Sequence, residues 1–275
     1  MKFNVALSGA LFAASALAAP LTAKRQARHE ARRLARAEGA KTQRHSNPPF
    51  QPDTHDVLQL NSTSHVQYSS NWAGAVLVGS GYTAVTGVFT VPTPRPPPGG
   101  SSSEAYSASA WVGIDGDTDG NAILQTGVDF TIQDGEVSYD AWYEWFPDYA
   151  YDFSGIDISS GDVIKVTVEA TTKSSGTATV ENTSNGQKVS HTFTSGEVEA
   201  SLGEVNAEWI VEDFEQNGSL VPLVDFGTVT FTDAEAVDNG ATVTPAGAQI
   251  LDIKQNNQVL TDSSVSGSSV TVKYV

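Results

Sequence analysis

From residue 68 to the C-terminus the chain never sustains a helical period, and this constrains its fold more than any other feature. Apolar and polar residues alternate instead. Across 163–170, Ile164, Val166, Val168 and Ala170 share one parity, while Val163, Lys165, Thr167 and Glu169 share the other. Successive side chains of an extended strand point to opposite faces, so this pattern gives a strand with one apolar face. Similar runs cover 86–91, 177–182, 188–193, 221–232, 248–253 and 270–275. Ser174-Ser175-Gly176 and Ser184-Asn185-Gly186 read as hairpin turns. About a dozen short strands in one domain predict an all-β fold, an antiparallel β-sandwich of two large sheets.

The N-terminal region has a different composition. Lys2, the apolar run from Phe3 to Leu17 and the small-x-small triplet Ala16-Leu17-Ala18 predict a signal peptide over 1–18. The run is too short to span a bilayer and contains Asn4 and Ser8, so export is expected rather than a membrane anchor. Residues 19–67 read as a basic pro-segment. Ala23 to Arg44 has helical composition, with Arg32 and Arg36 one turn apart, and Asn47-Pro48-Pro49 breaks it. The domain proper is expected at 68–275.

Charge divides at the same place. Residues 1–66 carry nine Lys or Arg and four acids, which leaves six bases against 28 acids in the rest. Such an anionic body repels nucleic acid and anionic membranes. Acid relieves its self-repulsion, so the composition suits an acidic, extracellular medium. The cationic segment is expected to act as an intramolecular electrostatic cover, held at neutral pH and loosened as carboxylates protonate. Four of the five His lie in that segment and gain charge below about pH 6.5.

Elimination narrows the chemistry. The chain has no Cys, so cysteine catalysis and disulfides are excluded. His191, the only His of the body, lies in an alternating run without a nucleophile elbow and reads as an ordinary strand residue. Clustered His or Cys ligands for zinc are missing. Asp115-Gly116-Asp117-Thr118-Asp119-Gly120 resembles the start of a calcium loop, but its twelfth position is Thr126, so it reads as a turn bearing exposed acids. No metal and no cofactor are expected.

Carboxylates, amides and aromatic rings remain. In 206–214, Glu208, Ile210, Glu212 and Phe214 share one strand face; in 139–145, Asp140, Trp142 and Glu144 do. Trp111 precedes Val112-Gly113-Ile114-Asp115 at a strand end. Together they predict a groove of Trp, Tyr, Asp and Glu. A Glu carboxylate takes a proton from water, and a Gln N–H donates to the oxygen that becomes negative. Gln125, in Ala122-Ile123-Leu124-Gln125-Thr126-Gly127, is such an amide. Residue types alone do not single out one acid–amide pair.

The chain resembles the eqolisins, the fungal glutamic peptidases. The resemblance rests on Ser70-Asn71-Trp72-Ala73-Gly74-Ala75, Ala110-Trp111-Val112-Gly113-Ile114-Asp115-Gly116-Asp117 and Ile123-Leu124-Gln125-Thr126-Gly127. It continues through Tyr139-Asp140-Ala141-Trp142-Tyr143-Glu144-Trp145, Asn206-Ala207-Glu208-Trp209-Ile210-Val211-Glu212-Asp213-Phe214 and Ser264-Val265-Ser266-Gly267, covering nearly the whole body. It implies a concanavalin-like β-sandwich and a catalytic dyad of Glu212 and Gln125. It also implies that Trp111, Asp115, Asp140, Trp142 and Glu144 line or support the cleft. The expected protein is a secreted, monomeric acid endopeptidase, made as a proenzyme and acting on peptide substrates, with some relatives nicked near a loop matching Pro92–Ser103. A β-sandwich glycoside hydrolase and a non-catalytic carbohydrate-binding module are the alternatives. The first needs two carboxylates at a fixed separation, whereas the partner of Glu212 is an amide. Asn61, Asn182 and Asn217 head possible glycosylation triplets.

Overall fold

The computed structural model describes residues 44–49 and 66–275. The signal-peptide expectation, most of the pro-segment and Asn61 lie outside them. Among the described residues no helix forms, and strands build three sheets. The expected helix over 23–44 is testable only at Arg44, which is extended in a strand pair.

The largest sheet has nine strands: β2 (Val66–Ser69), β3 (Trp72–Val78), β5 (Tyr106–Ile114), β6 (Ile123–Gln133), β7 (Glu136–Phe146), β8 (Tyr151–Asp152), β12 (Asn206–Glu212), β17 (Gln249–Gln255) and β18 (Gln258–Val259). Its order is β18-β17-β3-β12-β5-β6-β7-β8, with β2 parallel to β17. The second sheet has eight strands: β4 (Tyr82–Thr90), β9 (Val163–Thr172), β10 (Ser175–Asn182), β11 (Gln187–Phe193), β15 (Thr228–Asp238), β16 (Ala241–Val243), β19 (Thr261–Ser266) and β20 (Ser269–Tyr274). A small third sheet joins β1 (Arg44–His45) to the hairpin β13 (Glu215–Gln216) and β14 (Ser219–Leu220).

The two large sheets close on one core. Ala73, Val112, Leu124, Val128, Trp209 and Val211 of the first meet Val85, Phe89, Val166, Val168, Val180 and Phe231 of the second. Trp209 pins strand β12 across the sandwich: its ring is fully buried and its indole N–H donates to the Thr86 carbonyl oxygen at 2.8 Å. Burying such a ring contributes about 2–3 kcal/mol, so β12 has little freedom to shift.

The expected alternation fits β9 and β10, whose outward residues face solvent or are half-buried. It fails for β5 and β12, where every residue is buried. The outer face of the first sheet is itself covered, by a second cluster that includes Trp72, Trp111, Ile123, Trp142 and Ile210. A strand buried on both faces has no reason to alternate.

The expected strand over 221–232 is a correction. Residues 221–227 are irregular apart from isolated bridges, and β15 runs from Thr228 to Asp238. Pro222 has no N–H for a ladder, and Gly227 turns the chain at φ 68°. The first hairpin turn lies one residue earlier than expected, because β10 already begins at Ser175. The Asp115 turn is present, but Asp115 itself is fully buried rather than exposed. Asn182 is also buried and bonded to Asp157 and Asp162, which removes it as a glycosylation acceptor in the folded chain, whereas Asn217 is exposed.

Candidate active site

Register sets what the outer face of the nine-stranded sheet presents. Glu208 of β12 pairs with Gly113 of β5, Gly113 with Gln125 of β6, and Gln125 with Glu144 of β7. The next outward row is Ile210, Trp111, Gly127 and Trp142. The third is Glu212, Ser109, Asp129 and Asp140. The face is therefore a plate of tryptophan bordered by carboxylates. Gly127 is needed here: a Cβ would come within 2.4 Å of both the Ala110 carbonyl oxygen and the Trp111 Cβ, so any larger residue displaces Trp111.

Trp111 orients Glu212, its indole N–H donating to Oε2 at 3.0 Å. Trp142 is fixed in turn by donating to the Ser109 hydroxyl at 3.0 Å. Asp115 supports the site from the end of its strand. At the end of β5 it accepts the backbone N–H groups of Glu204 (2.8 Å), Val205 (2.7 Å) and Asn206 (3.1 Å), which ties the entry of β12 to β5. It helps to place the strand that carries Glu212. Asp140 stands in the third row beside Asp129.

Residues 44–49 lie across this face. The Arg44 guanidinium makes two 2.7 Å bonds to Asp129, and its central carbon lies 4.0 Å from the Trp142 ring centre and 4.4 Å from that of Phe214. Glu144 accepts the Ser46 N–H at 3.1 Å and lies 3.6 Å from Arg44 Nη1. His45 leans on Tyr149 with ring centres 4.1 Å apart. Asn71 donates to the carbonyl oxygens of Asn47 and Pro48. Most tellingly, Gln125 Nε2 donates to the Ser46 carbonyl oxygen at 3.0 Å, while the Ser46 side chain, which accepts from Arg44 Nη1 at 3.2 Å, acts on the Glu212 carboxyl to favour its charged form. Gln125 and Glu212 come from different strands and different rows, yet one residue of the covering segment acts on both.

The covered face is electrostatically unusual. Burial pushes Glu212 up to about 8, against the pull of Arg44, Ser46 and Trp111. It raises Glu144 as well, and Glu208 well above the usual carboxylate range, with Asp115 and Asp117 adding to the effect on Glu208. Asp213, next to Glu212 in sequence, is pushed up to about 8 by burial. Among the described residues no three His, Asp or Glu side chains are arranged to hold a metal ion. The chemistry available is proton transfer by a carboxyl group and hydrogen-bond donation by an amide.

Sequence reasoning assigns Asp129 no role. Period two puts it on the face of Gln125, but only the Arg44 contact shows its use. Strand parity places Phe214 on the Glu212 face without a role, and here it stacks on Arg44.

The Peptidase A4 family model matches residues 70–274. Aspergillopepsin-2 of Aspergillus niger is 61% identical and scytalidopepsin B of Scytalidium lignicola 45% identical, each aligned over the full length of both chains. Among solved structures, scytalido-glutamic peptidase with a transition state analog inhibitor superposes with a TM-score of 0.68 at 49% identity, covering 75% of this chain and 98% of its own. Aspergilloglutamic peptidase from Aspergillus niger gives 0.61 at 68% identity, covering 62% and 99%. With its double-sheet sandwich and this match over most of its length, the chain belongs to the Peptidase A4 family and is an eqolisin peptidase.

Proposed function

We propose that the protein is a secreted acid endopeptidase, made as a proenzyme, in which Glu212 and Gln125 form the catalytic dyad and residues 19–67 are the removable cover. The observation that carries this reading is Ser46, whose peptide carbonyl oxygen receives the Gln125 N–H at 3.0 Å while its side chain acts on the Glu212 carboxyl. A substrate carbonyl in that position has an amide donor on its oxygen and a carboxyl group beside it. The relatives solved with a transition state analog inhibitor and with the tripeptide Ala-Ile-His lend the substrate class.

The steps follow from these two groups. Ionised Glu212 takes a proton from water as the water oxygen bonds to the scissile carbon. The carbonyl oxygen becomes negative and is held by the Gln125 N–H, a donor that does not titrate. Glu212 then gives its proton to the amine nitrogen as the C–N bond breaks.

The cover also explains how the proenzyme stays inactive. With residues 44–49 in place, Glu212 is held up at about 8, so at acid pH it is protonated and is no base. Removing them readmits water and lowers the desolvation that causes the shift. The proposed end of the pro-segment falls within β2, Val66–Ser69, which pairs with β17 at the edge of the nine-stranded sheet. Kinetics of the matured variants test the dyad. Glu212→Gln should abolish peptide hydrolysis, and Gln125→Ala should cut kcat by about 100–1,000-fold with the fold intact. Near-normal turnover in either folded variant rejects the assignment.

A further inference from the structure

Glu208 is an acid the dyad does not use. It is completely buried, and neither carboxyl oxygen has a hydrogen-bond partner. A buried carboxyl in that condition is costly unless it is neutral or finds a donor or acceptor. Gln125 has a matching deficiency: its Nε2 donates into the cleft, but its Oε1 is buried without a partner. The two residues lie in one row, separated only by Gly113. A Cβ placed on Gly113 would lie 2.8 Å from Glu208 Oε1, 2.8 Å from the Trp111 ring and 3.4 Å from the Gln125 Cβ. The missing side chain of Gly113 is thus the space in which Glu208 reaches toward Gln125.

We propose that Glu208 is a positioning residue for the reaction: its carboxylic O–H donates to Gln125 Oε1 and fixes the amide with its NH2 group toward the reacting carbonyl. A Gln amide can rotate, and turned over it would present an oxygen, not a donor, to the developing oxyanion. An O–H behind Oε1 prevents that rotation. Only the protonated form of Glu208 can do this. Burial holds its proton in place, and the charged groups acting on it, Asp115 and Asp117 of the turn after β5, are acids that favour the neutral form. The other residues facing it in the sheet, Val76, Gly113 and Gln125, carry no charge.

The inference rests on the Gln125 role proposed above, and the test separates the two. Glu208→Leu, Glu208→Gln, Gly113→Ala and Gln125→Ala are compared in matured enzyme, with kcat and KM on one peptide measured from acid to neutral pH. Glu208→Leu suits its buried surroundings and should fold, but kcat should fall about tenfold or more with KM little changed, as for loss of one hydrogen bond used in the transition state. Glu208→Gln supplies an N–H to the same oxygen and should restore kcat to within about threefold of native. Its rate should also decline less as pH rises, because nothing at 208 can ionise. Gly113→Ala should lower kcat in either background, since its Cβ presses on the Trp111 ring as well as on Glu208 Oε1. A folded Glu208→Leu enzyme with native kcat, or equal losses in the Leu and Gln variants, overturns the proposal. If Gln125→Ala is inactive in that same experiment, the dyad reading survives; if Gln125→Ala is fully active, both fall.

Discussion

Arg44 offers a sharp test of the covered state. Its guanidinium is fully buried, grips Asp129 through two 2.7 Å bonds and lies between Trp142 and Phe214. Arg44→Ala leaves the backbone contacts of the segment in place, including the Ala150 N–H on the Arg44 carbonyl oxygen and Gln125 on Ser46. It strips the countercharge from Asp129, which is only 4% exposed. Breaking a buried pair by removing one partner costs about 3–5 kcal/mol, or about a hundredfold to a few thousandfold in affinity at 1.4 kcal/mol per tenfold. Arg44→Lys keeps the charge but loses the planar fork that matches a carboxylate, so it should fall between the two. The assay is the inhibition constant of a synthetic 19–67 peptide against matured enzyme, comparing the native peptide with its Arg44→Lys and Arg44→Ala versions. An Arg44→Ala peptide that inhibits within about threefold of the native one refutes the reasoning.

Two further outcomes are expected. Trp111→Phe removes the N–H that meets Glu212 Oε2 at 3.0 Å; a bond to a charged group contributes about 1.5–3 kcal/mol, so kcat/KM should drop about 10–100-fold and the acid limb of the pH profile should move to higher pH, since that bond favours the ionised form. Asp252 is pushed up to about 6 by burial, against hydroxyl donations from Ser263 and Thr261. Because its folded value lies above the ordinary value of 3.8, its contribution to stability is full below that value and is lost as pH rises through about 6. Melting of Asp252→Asn should therefore lose less Tm than native protein between about pH 4 and pH 7; parallel losses would count against this account.

The sequence was most legible where one face meets water. The parity of Ile164, Val166 and Val168 located β9, and the same reading located β10, β11, β17 and β20. It was least legible where both faces are buried. β5 reads Tyr106-Ser107-Ala108-Ser109-Ala110-Trp111 without a charged residue, because the inner side meets the sandwich core and the outer side a tryptophan cluster. Strand parity placed Glu208 and Glu212 on one face, and Asp140, Trp142 and Glu144 on another, in agreement with the register. It could not align those faces, since pairing between strands far apart in sequence is set by packing rather than by local pattern.

What the sequence by itself determined is the class of fold and the chemical repertoire. Period-two alternation without helix signals requires sheets, and a chain without Cys and with one His in its body leaves carboxylates and amides to act. Its family motifs also pointed to Glu212 and Gln125 as the acid and amide of the proposed dyad. Only the tertiary structure decided that Ser46 accepts from Gln125 and acts on Glu212, that Arg44 finds Asp129 85 residues away, and that Asp115 ties β5 to the entry of β12. These are contacts between distant segments. They depend on sheet order and on which residue lacks a side chain at a crossing, neither of which is written in the sequence around any one of them.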